Sequence, residues 1–62
     1  MTRQAFAEML ASRLLTREGI AAIWELHVAA ANAYRYKRME TAAALLALAD
    51  AAEREWLRRD GG

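Results

Sequence analysis

Residues 20–34 read IAAIWELHVAAANAY. Ile20, Trp24, His27, Ala31 and Tyr34 recur at spacings of 4, 3, 4 and 3, which place side chains on one face of an α-helix, and Ile23 widens that stripe. Glu25 and Asn32 fall roughly opposite. The spacing predicts a helix over about 17–36 with this stripe as its buried seam.

A second stripe follows. Ala42, Leu45, Ala49, Ala52 and Trp56 recur at 3, 4, 3 and 4, which predicts a helix over about 41–59 with a matching seam. Leu46 and Leu57 flank it on one side and Leu48 on the other. Asp50 with Arg54, and Glu55 with Arg59, are i,i+4 pairs expected on the solvent side. The corner between the helices, Tyr36 to Thr41, contains neither glycine nor proline. Its position is read from charge order: Arg35, Lys37 and Arg38 suit a helix C-terminus, and Glu40 suits a helix start. Glu40 or Thr41 is the expected cap.

Two helices joined by a short corner pack antiparallel as a hairpin. Ala31, Ala42, Ala49 and Ala52 would let the backbones approach, with Trp24, Tyr34 and Trp56 filling the ends. Upstream, Thr2 is a candidate N-cap for a shorter helix over about 3–15. Phe6, Met9, Leu10 and Leu14 form its expected apolar stripe, with Glu8 and Ser12 on the other side. Two signals compete at the next break. Thr16 could cap the second helix, with Glu18 in its first turn, or Gly19 could end the first helix in a left-handed conformation. A helix continuous through Gly19 would cost about 1 kcal/mol relative to alanine. The expected fold is all-α, an antiparallel hairpin preceded by a shorter N-terminal helix and assembling into a helical bundle. Residues 1–62 form one domain, with 60–62 a frayed tail.

Composition narrows the function. The chain has 62 residues with no cysteine and no proline; 16 of its hydrophobic residues are alanine and 19 are larger. One core is all this length supports. A disulfide scaffold or thiolate metal site needs cysteine, and a disordered tail needs far fewer apolar residues. Val28, Ile20 and Ile23 are the only β-branched aliphatics, and no stretch alternates as a strand would. Nine basic residues face eight acidic ones, without the basic excess of a strong nucleic-acid binder. The longest apolar run, Ala42 to Ala49, is too short to span a bilayer, and the first residues lack a signal-peptide core. A cytoplasmic protein with no membrane association is expected.

The residue inventory offers little chemistry. His27 is the only histidine and lies in the seam. It reads first as a packed side chain with one satisfied hydrogen bond, then as a pH-sensitive interface residue, and last as a catalytic or metal-binding group. Glu25 points elsewhere and cannot join it. No nucleophile constellation or glycine-rich phosphate loop is visible. No catalytic residue, cofactor, metal site or small-molecule substrate is therefore expected. The run Tyr34-Arg35-Tyr36-Lys37-Arg38 interleaves rings with cations. It reads either as a last helical turn complementing its dipole, with Tyr34 in the core, or as a nucleic-acid patch using Arg35, Lys37 and Arg38.

Ala31-Asn32-Ala33-Tyr34 followed by Ala42, Leu46 and Ala49 resembles the middle of a tetratricopeptide repeat. The corner is one residue short, the residues around His27 and Ala30 depart from the pattern, and the closing proline and a second repeat are absent. The resemblance implies a helical hairpin rather than membership of that family.

A chain this small is marginal on its own core, and alanine adds little burial. Leu26, Val28, Leu46, Leu48 and Leu57 lie off both seams. They are either scattered surface apolars or a surface for a protein partner or a second copy. The expected function is a non-enzymatic protein-interaction module, such as an adaptor, chaperone, antitoxin or inhibitor, acting through those five residues. The alternative is a small dimeric nucleic-acid-associated regulator.

Overall fold

A computed structural model describes residues 2–60 as three helices, α1 (Arg3–Glu18), α2 (Ala21–Arg35) and α3 (Met39–Asp60). The all-α hairpin with a preceding helix is what the periodicities predict. Their lengths differ from expectation: α1 has 16 residues and α2 has 15, so the first helix is not the shorter one. The expected frayed tail begins inside α3 at Asp60, and residues 61–62 lie outside those described.

Thr2 caps α1 as expected, its Oγ1 accepting from the Ala5 N–H at 3.1 Å. The break after α1 is made by Gly19 and not by Thr16. Thr16 donates its hydroxyl to the Ser12 carbonyl at 2.9 Å, inside α1. Gly19 takes φ 70°, ψ −156° and donates its N–H to Leu15 O. That region of backbone space is essentially closed to residues with a Cβ. Helix α2 therefore starts at Ala21 rather than Arg17, with no side-chain cap.

The second corner uses a lysine where glycine is usual. Lys37 has φ 61°, the Arg38 N–H reaches Ala33 O, and the Lys37 N–H reaches Tyr34 O. These two bonds form a Schellman motif, which satisfies carbonyls that the helix end leaves free. The Arg38 carbonyl then accepts from Ala42 N, so α3 starts at Met39 and not at a Glu40 or Thr41 cap.

Helix α3 is central. It packs against both α1 and α2, which touch each other only slightly. The α2/α3 pair is antiparallel: Ile20 and Ile23 lie by Trp56 and Leu57, while Ala33 lies by Thr41 and Leu45. Among the described residues, eight of the ten buried hydrophobic side chains are alanine, the others being Leu15 and Leu26. Small side chains let helices approach closely, and they also leave the core thin.

The α3 seam is largely the one its spacing predicts: Ala42, Ala49 and Ala52 are buried, with Leu45 and Trp56 half-buried. The α2 seam is not. Ala22, Leu26, Ala30 and Ala33 form the buried stripe, whereas Trp24 is 72% and Tyr34 64% exposed, and Ile20, His27 and Ala31 also face outward. The physical reason is bulk. The alanines along α3 favour a close approach that suits small residues of α2, so α2 turns its small residues inward, and the Trp56 indole is accommodated, half-buried, near the end of the pair. In α1 the contact is made by Ala11 and Leu15 with Leu14 beside them, and Phe6 is exposed.

Candidate interaction surface

Rotation of α2 leaves an apolar face uncovered. Ile20, Ile23 and Trp24 of α2 and Trp56 and Leu57 of α3 line an open groove of about 380 Å³, and His27 and Glu53 close one side of it. The His27 Nε2–H donates to Glu53 Oε1 at 2.8 Å, bridging the two helices with both side chains about half exposed. By helical spacing the face continues along α2 through Ala31 and Tyr34. Along α3, Leu46, Asp50, Glu53 and Leu57 recur at 4, 3 and 4 on the same side. Ile20, Trp24, Tyr34, Leu46 and Leu57 are all exposed here. Val28 follows Trp24 by one turn at the edge and is also exposed.

The opposite side of α3 is occupied by α1. There Arg59 donates from Nη2 to the Ser12 carbonyl (3.1 Å) and hydroxyl (2.7 Å), and from Nε to Glu55 Oε1 (2.9 Å). Arg58 also clasps Glu55, at 2.6 Å from Nη2 to Oε1. The Glu55–Arg59 pair was expected on the solvent side; it instead fastens α3 to α1, with Ser12 on the packed side of its helix. The hydrogen bonds from Arg58 and then Arg59, reinforced by their charge, hold the Glu55 carboxyl below the usual carboxylate range. Asp50 and Arg54 meet at 3.7 Å on the exposed surface. Near the first corner, a hydrogen bond with Glu18 and then its like charge raise the Glu25 pKa.

The four leucines and one valine singled out by sequence divide. Leu26 is 8% exposed and belongs to the core, so it lies on the packed stripe rather than off it. Leu48 is half-buried and packs against the same core. Val28, Leu46 and Leu57 are exposed, and of these Leu57 lines the groove. Ile20 and Trp24, which the spacing predicts to be buried, are exposed and line the groove. The 4-3-4-3 stripe names them, but helical spacing alone does not distinguish a face toward a neighbouring helix from one toward solvent. The His27–Glu53 bridge follows from an antiparallel register that puts Ile20 against Leu57, and sequence reasoning missed it.

Arg35, Lys37 and Arg38 are exposed together at the second corner, with Tyr34 and Tyr36 also exposed. The expectation that Tyr34 sits in the core does not hold. Among the described residues, no cluster of three or more His, Asp or Glu could hold a metal ion, and no helix is long and apolar enough to cross a membrane. The chain matches no protein-family model, no curated protein and no solved structure.

Proposed function

We propose that the protein is a non-enzymatic protein-interaction module that docks through the uncovered face of α2 and α3. The observation that carries this reading is the environment of Trp24 and Leu57. Both are large, apolar and about two-thirds or more exposed, on the rim of an apolar groove. Contiguous exposed apolar surface of this kind marks interaction sites on soluble proteins, and tryptophan is among the residues that dominate interface energies. An adaptor, a chaperone, an antitoxin and an inhibitor would all use such a face.

The test is an interaction assay on purified chain, comparing wild type with a Trp24→Asp, Leu57→Asp double variant of matched helical content. The reading expects a protein contact, to itself or to another chain, that the double variant loses. A chain that stays monomeric and captures the same proteins whether or not the face is charged would sink it.

A second reading has one observation in its favour: Tyr34 and Tyr36 are exposed among Arg35, Lys37 and Arg38. Rings interleaved with cations suit single-stranded nucleic acid, the bases stacking and the phosphates pairing. Affinity falling steeply between about 50 and 200 mM salt would support it, and no binding at the lower salt would remove it.

A further inference from the structure

We infer that the occupant of the α2/α3 face is a second copy of this chain, the two hairpins packing about a twofold axis as a four-helix arrangement with α1 on the outer side of each. This rests on the reading of that face as a docking surface and names what docks there.

Surface area is the first argument. The chain exposes 4817 Å². Compact monomers of its mass, 6.9 kDa, expose about 4,000 Å². A standard stable interface takes about 800 Å² from each partner, and the exposed Ile20, Trp24, Val28, Tyr34, Leu46 and Leu57 give this chain apolar surface to cover. The principal extents are 37, 27 and 17 Å, a slab whose broad side is large enough for a contact of that size.

Charge is the second argument. Beside the groove, His27 and Glu53 are joined to one another, and Asp50, one turn before Glu53, is paired with Arg54. A strongly charged partner has little to recognise there. A second copy presents the same apolar face with its polar groups already paired, so a twofold contact there covers no charge that lacks a partner. Isologous contacts require such self-complementarity.

Spacing is the third. Ile20, Trp24, His27, Ala31 and Tyr34 on α2, and Leu46, Asp50, Glu53 and Leu57 on α3, follow the 3-and-4 repeat by which helices interdigitate. A seam of that spacing is complemented by another of the same spacing, and the chain carries both on one face. Trp24 stands at the lip of the groove, placed to enter the equivalent groove of the other copy.

Sedimentation equilibrium across a wide concentration range tests this. The expected result is a species of twice the chain mass that dissociates on dilution. Trp24→Asp and Leu57→Asp should each weaken association by about 30-fold or more, the scale of an interface hot spot, without loss of helical content. Phe6→Asp, an equal change at an exposed apolar residue of α1, should leave association unchanged. A dimer lost in Phe6→Asp and kept in Trp24→Asp overturns the inference. A chain monomeric at every concentration also overturns it. In that case, capture of a different protein through the same face leaves the docking reading standing, and no capture removes both.

Discussion

Replacing Leu26 by alanine separates the packed stripe of α2 from the exposed one. The Leu26 side chain is 8% exposed and sits in the cluster with Ala11, Leu15, Ala49, Ala51 and Ala52. Alanine removes three buried carbons, a transfer loss of about 2 kcal/mol at about 0.8 kcal/mol each. A cavity term adds to it, because the buried members of the cluster are mostly alanine and the surroundings relax only in part. A total of about 2–4 kcal/mol is expected, within the measured range for such changes. A chain of this length has a stability of about 3–9 kcal/mol, so the loss is a large fraction. At about 4–8 °C per kcal/mol for small domains, the melting temperature should fall by at least about 8 °C. Far-UV circular dichroism, read against temperature and urea at low protein concentration, measures it. Trp24→Ala under the same dilute conditions should change stability by only about 0.5 kcal/mol, as exposed substitutions do. If Trp24→Ala costs as much as Leu26→Ala in the monomer, the assignment of the two faces is wrong.

The corners and the ion pairs carry further expectations. Gly19→Ala should destabilise by about 1–3 kcal/mol, and purely through the backbone, since a Cβ there meets nothing within 4 Å. D-alanine at that position, placed by chemical synthesis, should instead stabilise by about 0.4–1 kcal/mol, because φ 70° suits its handedness. Lys37→Gly should raise stability by about 0.5–1 kcal/mol in urea unfolding, by relieving the left-handed conformation. For pH, the Glu55 carboxyl is depressed when folded, so its contribution is present above its ordinary value of 4.5 and is lost as pH falls through the folded value. Glu25 is raised, so it favours the fold below 4.5 and that contribution is lost as pH rises through the folded value. Denaturation of wild type and Glu55→Gln, from neutrality down through that window, should converge as pH falls, with the variant the less stable near neutrality.

Much of the fold is legible in the sequence, and the reason it is not all legible is specific. The α3 seam reads correctly because every residue of its stripe is apolar, whereas Leu46-Asp50-Glu53-Leu57 beside it carries two acids. In α2 two stripes compete: Ile20-Trp24-His27-Ala31-Tyr34 carries the bulk, and Ala22-Leu26-Ala30-Ala33 carries small residues. Reading burial from size alone selects the first. Close helix approach selects the second, and that approach is a property of the pair, decided by Ala42, Ala49 and Ala52 on α3. Gly19 was legible as one of two competing breaks, because glycine takes such backbone geometry comfortably, and Thr16 offered the other. The Lys37 corner carried no such signal, and charge order located it only to within a few residues. The candidate site was legible as an excess of apolar side chains over available core, and Leu57 was identified from that excess. Ile20 and Trp24 were not, since the stripe that names them looks the same whether it faces a neighbouring helix or another molecule.

The most direct test is an isotope-filtered nuclear Overhauser experiment on a mixture of labelled and unlabelled chain at a concentration where association is complete. Contacts between copies should run from the Trp24 indole to Ile20 and Leu57, with none to α1. Intermolecular contacts confined to Phe6 and the rest of α1, or none at all, would contradict the account.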